Sequence, residues 1–316
     1  MASDGSFYYA IQGIAEGTSY NIVYLDEKGR DFQSDIEILL ADFEKSLSVY
    51  DPASIISRIN NNENIETDLY FNTIFQKAKH ISSITEGAFD ISAEPLFRAW
   101  GFSFQEKDIP DDDQIKSLKE IIGMDKVRLE NNRIIKSNPN VILNANAIAK
   151  GYSADITASF LEEKGCTDFL VEIGGEIKVK GKNPDGEAWW IGVDRPAENN
   201  PIPGQELQVI LKITDKGIAT SGNYRQFYIE NGQKITHTIN PATGYPVKHN
   251  LLSVTVITND AMTSDALATA FLVAGIEKSL EWAEKIPELE ALFICDEKDE
   301  YKVYYTPGLE DYIVPE

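Results

Sequence analysis

Cysteine is scarce: Cys166 and Cys295 are the two in 316 residues, too few for a disulfide framework. Both stand in apolar surroundings, Gly165-Cys166-Thr167 and Phe293-Ile294-Cys295, which points to buried thiols. Histidine is nearly as rare, and His80, His237 and His249 form no cluster with zinc spacing. No stretch approaches the roughly 18 apolar residues of a membrane-spanning helix. Cations are outnumbered, with 29 Lys and Arg against 51 Asp and Glu for a formal charge of −22. That balance excludes nonspecific binding to nucleic acid, which needs surplus cations to neutralise phosphate, and it opposes docking on anionic lipid. An acidic protein that handles a phosphorylated ligand needs a local answer to the charge: a divalent metal, a helix N-terminus or a few placed cations. The opening Met1-Ala2-Ser3-Asp4-Gly5-Ser6 lacks the basic-then-apolar order of a signal peptide, and residues 1–6 read as a cloning scar or a disordered start.

What is present is ordinary globular material: 42% hydrophobic, 25% charged and 10% aromatic. A chain of this length buries a sizeable core without staples. Phe7 to Ile14 and Thr18 to Leu25 read as a hairpin around Glu16-Gly17. Ile36, Leu39, Leu40, Phe43 and Leu47 mark one face of a helix over 31–49. Further helices are expected at 55–60, 68–85, 96–100, 114–122, 146–165, 264–274 and 276–285, with a charged surface excursion over 104–113. Strands dominate elsewhere, including a three-stranded meander at 127–129, 134–136 and 141–143, a strand at 235–239 and a final hairpin over 289–305. Hairpins clustered with helices, rather than alternating with them, predict an α+β fold with largely antiparallel sheets. No linker interrupts the pattern, so residues 7–316 are expected to form a single composite domain.

The sharpest local signal is Asp265-Ala266-Leu267-Ala268-Thr269, at a helix start with Ser264 as expected cap. Positions i and i+4 stack on one helix face, so Asp265 and Thr269 aim a carboxylate and a hydroxyl at one point. Hard oxygen donors of that kind suit Mg²⁺. The same pattern also serves as a first-turn carboxylate favoured by the helix dipole. Asn144 to Tyr152 runs from a strand end into a helix, where small residues and a helix N-terminus favour an anion, and Lys150 adds a cation. Gly174-Gly175 and Ser221-Gly222 permit close backbone approach. His237 lies on a short strand running into a turn, His80 in a helix and His249 in a polar loop.

Taken in order along the chain, these signals resemble a known family. Gly17-Thr18-x-Tyr20, Tyr50-Asp51-Pro52-x-Ser54-x-Ile56-Ser57-Arg58-Ile59-Asn60, Gly87-Ala88-Phe89-Asp90 and Pro95-Leu96…Trp100-Gly101-Phe102 come first. Asn144 to Tyr152, Glu172-Ile173-Gly174-Gly175-Glu176, Thr220-Ser221-Gly222-Asn223-Tyr224, His237-Thr238-Ile239-Asn240-Pro241-x-Thr243-Gly244-Tyr245-Pro246 and Asp265 to Ala270 follow. The succession is similar to the ApbE family, the FAD:protein FMN transferases, over about residues 13–305. The resemblance implies a duplicated, T-fold-like α+β arrangement with FAD in a cleft. It implies Mg²⁺-dependent cleavage of FAD, transfer of FMN to a threonine hydroxyl as a phosphoester, and release of AMP. Implied acceptors are flavoprotein subunits of Rnf or Na⁺-translocating NADH:quinone reductase type. The implied location is the periplasmic side of the inner membrane, with a lipid anchor in the full-length precursor.

Residue by residue, the resemblance makes Asp265 and Thr269 metal ligands and Ala147 a third, through its carbonyl. Glu16, Tyr50, Ala88, Phe89, Asp90 and Leu252 match FAD contacts, and His237 and Asp265 match catalytic positions, His237 as manager of the acceptor's proton. Asn144 and Lys150 also match flavin-binding positions, with two departures: Asn144 stands where many members carry Asp, and Lys150 where some carry an acid. Asn240 likewise replaces an Asp beside the histidine. Two other activities fit the same residues: an FAD pyrophosphatase releasing free FMN and AMP, and a flavin-binding protein without catalysis.

Overall fold

The computed structural model describes residues 7–102, 109–197, 200, 204–224, 227–230, 233–298 and 300–315. Residues 1–6 and the 103–108 part of the charged excursion lie outside the described residues. Fourteen strands and eight α-helices follow one another along them. The first half contains β1 (Phe7–Ala15), β2 (Thr18–Asp26), α1 (Gln33–Leu47), α2 (Ile55–Asn60), α3 (Leu69–Ile84), α4 (Glu94–Ala99), α5 (Asp112–Lys119), β3 (Val127–Glu130), β4 (Arg133–Lys136), α6 (Ala149–Glu163), β5 (Phe169–Ile173) and β6 (Glu176–Lys180). Next come β7 (Trp189–Asp194), β8 (Leu207–Ile213), β9 (Gly217–Gly222), β10 (Phe227–Glu230), β11 (Gln233–Thr236), β12 (Leu251–Thr258), α7 (Ala261–Ala274), α8 (Ile276–Ala283), β13 (Glu290–Glu297) and β14 (Glu300–Tyr305).

Eight strands form one sheet in the order β1-β2-β5-β6-β9-β12-β13-β14, and every neighbouring pair in it is antiparallel. The order shows one pattern used twice. Strands β1 and β2, then helices, then β5 and β6 make one half; β9 and β12, then α7 and α8, then β13 and β14 make the other. Alternation sets the faces. Tyr20, Ile22 and Tyr24 on β2 join Phe169, Val171 and Ile173 on β5 beneath α1 and α6. Val254, Val256, Ala291 and Phe293 meet α3 and α7 through Ala266, Leu267, Ala270 and Phe271. The opposite face of the sheet, with Val179, Ile218, Ile257, Leu292 and Ile294, is covered by Trp189, Ile191, Leu211 and Ile213 of the β7–β8 hairpin. A smaller cluster joins α4 and α5 to the segment after β11 through Leu96, Trp100, Ile115 and Ile239.

Four expectations need correction. Residues 141–143 do not form a third meander strand; Ile142 makes one isolated bridge to Ala93. The Asn60 side chain takes the place of a partner strand, accepting the Leu143 amide at 2.8 Å and donating to its carbonyl at 2.8 Å. Helix α6 starts at Ala149 rather than Asn146, because the Asn144 side chain accepts the Asn146 amide and holds a turn there. Helix α7 starts at Ala261, capped by Asp260 through the Thr263 amide, not at Ser264. The Ser264 hydroxyl instead donates to the Gly217 carbonyl on β9 at 3.0 Å. Strand β11 stops at Thr236, so His237 lies just beyond it.

Candidate functional site

Asp265 is 4% exposed, in the second turn of α7 where α6 crosses it. The crossing is tight because Gly151 has no side chain: a Cβ there would stand 2.3 Å from the Ala261 carbonyl oxygen and 2.8 Å from Asp265 Cβ. Closeness lets the Gly151 amide donate to Asp265 Oδ2 at 3.1 Å. In a regular α-helix that amide would donate to the carbonyl four residues back, that of Ala147. Diverting it leaves the Ala147 carbonyl without its helical donor. One turn along α7, Thr269 Oγ1 lies 3.2 Å from Ser221 Oγ on β9.

Elements α7 and β9 thus supply a carboxylate and two hydroxyls, and the turn before α6 a backbone carbonyl without its helical donor. These are hard oxygen donors, the set Mg²⁺ takes when water and substrate phosphate complete its shell. Among the described residues no group of three or more His, Cys, Asp or Glu is arranged to hold a metal. With one acidic ligand, the Asp265 group therefore fits a substrate-completed Mg²⁺ site and not a protein cage.

Charge around Asp265 is concentrated and poorly solvated. Lys150 Nζ pairs with Glu176 Oε2 at 2.6 Å, and both Asp265 and Glu16 act on the same ammonium. Burial pushes the Glu176 carboxyl up to about 8; Lys150 opposes the rise and Asp265 adds to it. Burial likewise raises Glu16 to about 7, with a Ser153 hydrogen bond opposing and Glu44 reinforcing. The Glu16 backbone amide donates to the Glu44 carboxylate, while Glu16 Oε1 is buried without a hydrogen-bond partner. Asp265 is held above the usual carboxylate range by burial, with Lys150 and the Gly151 amide opposing. Burial alone would lower Lys150, yet Glu176, Asp265 and Glu16 outweigh it and hold the ammonium charged.

The sequence-predicted residues fall into distinct groups. Glu16, Lys150 and Asp265 come together; Thr269 stands one turn along α7 from Asp265, against Ser221, and Ala147 lies in the turn before α6. Asp90 and Asn144 belong to a second group around the turn at 90–93 that leads into α4. There the Asp90 carboxylate accepts the Ser92 amide and hydroxyl at 2.8 and 2.6 Å, and burial raises its pKa. Asn144 donates its backbone amide to the Ile91 carbonyl and its side-chain amide to Glu94 Oε2 at 2.8 Å. Glu94 is itself buried and pairs with Arg98. An aspartate at 144 would set two carboxylates face to face, so Glu94 accounts for the asparagine. The Phe89 ring is buried in the main core, with Ala88 packed against that core.

Tyr50 stands 70% exposed, and the Leu252 carbonyl accepts the Asn223 amide at 3.0 Å. His237 meets the Phe102 ring edge-on at 6.3 Å between centroids, on the α4–α5 side of the molecule. Sequence reasoning assigned no role to Gly151, Ser153, Glu176 or Ser221. For Glu176 and Ser221 the motifs Glu-Ile-Gly-Gly-Glu and Thr-Ser-Gly were in view, but only the crossing of α6 with α7 gives them a target.

Comparison with known proteins agrees with this fold. The ApbE family profile matches residues 17–293. The FAD:protein FMN transferase of Haemophilus influenzae is 34% identical over 291 residues, 87% of this chain and 83% of that protein. The solved structure of the flavin transferase ApbE from Vibrio cholerae superposes with a TM-score of 0.86 at 32% identity, covering 97% of this chain and 99% of that one. That of Pseudomonas stutzeri flavinyl transferase ApbE, apo form, gives 0.88 at 28% identity, with 98% of each chain covered.

Proposed function

The chain belongs to the ApbE family, and from that membership we propose that it transfers FMN from FAD to a threonine hydroxyl of an acceptor flavoprotein, with Mg²⁺ and with release of AMP. The observation that carries the metal reading is the diverted Gly151 amide, which holds Asp265 and leaves the Ala147 carbonyl without its helical donor. Asp265, Thr269 and the Ala147 carbonyl would hold the ion. When bound, Mg²⁺ would neutralise charge on the pyrophosphate and on the transferring phosphoryl group, a stabilisation of several kcal/mol.

In the proposed reaction the acceptor oxygen attacks the phosphorus of the FMN half. The bond from that phosphorus to the bridging oxygen breaks, and AMP leaves with the electron pair. On the family resemblance, His237 takes the hydroxyl proton. Lys150, held charged inside the protein, faces the developing negative charge as a fixed cation. Acceptors of Rnf or Na⁺-translocating NADH:quinone reductase type, and a periplasmic, lipid-anchored location, are proposed on the family resemblance.

The test is incubation with FAD, Mg²⁺ and an acceptor domain, read by in-gel flavin fluorescence and by AMP release. A fluorescent acceptor band is expected with Mg²⁺ and none with EDTA. A band that survives EDTA would overturn the metal reading. Free FMN produced at the same rate with and without acceptor would overturn transfer in favour of hydrolysis.

A further inference from the structure

Lys150 does not stand in the pocket by its own reach alone. Strands β5 and β6 are joined by Gly174 and Gly175, with Ile173 paired to Glu176 across the turn. Both glycines have positive φ, 63° and 99°, as a two-residue hairpin of this hand requires. A Cβ on Gly174 would lie 2.9 Å from Lys150 Cδ and 2.8 Å from Thr18 Cγ2, so the lysine stem runs directly over the turn. Its ammonium ends on Glu176, the first residue of β6.

Alternation along β6 places Ile177 and Val179 against the β7–β8 hairpin and turns Glu176 to the helix side, where it is 5% exposed. A carboxylate there with no cation would carry a heavy desolvation cost. With all three carboxyls ionised, as at high pH or beside a bound cation, Glu16, Glu176 and Asp265 stand against one ammonium. The formal balance is two negative charges, which one divalent ion matches.

We propose that Glu176 is a positioning residue: it fixes the Lys150 ammonium beside Asp265 and sets the charge that the pocket presents to its metal ion. The proposal rests on the Mg²⁺ reading above. Glu176→Gln keeps the shape but leaves the ammonium unbalanced, so repulsion works against the incoming ion. Lys150→Met removes that repulsion. The double variant returns the pocket to its original balance.

The experiment is calorimetric titration of Mg²⁺ into the protein loaded with FAD, without acceptor and at about pH 8.5 so that the carboxyls are ionised, which reads the metal without transfer. Against wild type, Glu176→Gln is expected to weaken Mg²⁺ about ten-fold or more and Lys150→Met to strengthen it, because a unit charge a few ångströms from a divalent ion acts strongly inside a protein. The double variant is expected within about three-fold of wild type, while its KM for FAD stays raised because the fixed cation is gone. Equal Mg²⁺ affinities in all four proteins, or a double variant as weak as Glu176→Gln, would overturn the proposal. Lys150→Met carries the opposite sign by itself, so an unfolded Glu176→Gln leaves the claim exposed to refutation. Wild-type protein that binds no Mg²⁺ would count instead against the metal reading.

Discussion

Asp265→Asn is expected to reduce FMN transfer at least about a thousand-fold, the scale at which a directly placed electrostatic group acts on a transition state. The substitution removes one charge and little else. An asparagine oxygen still accepts the Gly151 amide that Asp265 Oδ2 accepts at 3.1 Å, so the crossing of α6 and α7 is kept. The charge, however, belongs to the one carboxylate among the three oxygen donors assigned to the metal. Raising Mg²⁺ should recover part of the rate, because the threonine hydroxyl and the Ala147 carbonyl remain. Initial rates of acceptor fluorescence across a Mg²⁺ series measure this. A variant within about ten-fold of wild type at every concentration would remove Asp265 from the mechanism.

Metal-free protein is expected to lose stability as pH rises from about 5 to about 8.5, with a fall of roughly 5–10 °C in melting temperature. The sign follows from the buried carboxyls. Burial raises Asp155 to about 6, against the bonds it accepts from the Ala261 and Met262 amides. Glu16 rises to about 7 and Glu176 to about 8. A carboxyl raised on folding stabilises the native state while both states are protonated, and that contribution is lost as pH climbs through the folded value. Carboxyls lowered by ion pairs, such as Asp26 beside Arg30, act in the other direction but titrate below this window. Burial holds His249 below its ordinary range, which favours the native state as pH rises toward 6.5 and offsets only part of the early loss. Mg²⁺ displaces protons from its ligands, so its stabilising effect should be larger at pH 8 than at pH 5.5. Differential scanning fluorimetry with and without Mg²⁺ at both values checks this. A melting temperature that climbs across the range in metal-free protein would refute the electrostatic description.

The residue pattern made much of this molecule legible, and what it hid was non-local. Helix α1 and the β1–β2 hairpin announce themselves through periodicity within 15 residues, and the structure has them within two residues of the expected bounds. The Asp265–Thr269 pair was visible for the same reason, being one helical turn apart. By contrast, the failure of 141–143 to form a strand depends on Asn60, far away in sequence. Where α7 begins depends on Asp260, with Asp155 of α6 reaching across to its first amides. Glu176 looked like one charge in a strand of alternating lysines; its importance arises because α6 brings Lys150 to it. Even the departure at Asn144 becomes intelligible only beside Glu94.

The most direct test is to locate the metal. Crystals grown with FAD and Mn²⁺, a stand-in for Mg²⁺ visible by anomalous scattering, should show a peak about 2.2 Å from the Asp265 carboxylate, the Thr269 hydroxyl and the Ala147 carbonyl, bridged to the flavin nucleotide's phosphates. A strong manganese peak elsewhere, with FAD bound and the second turn of α7 contacting neither, would contradict the account.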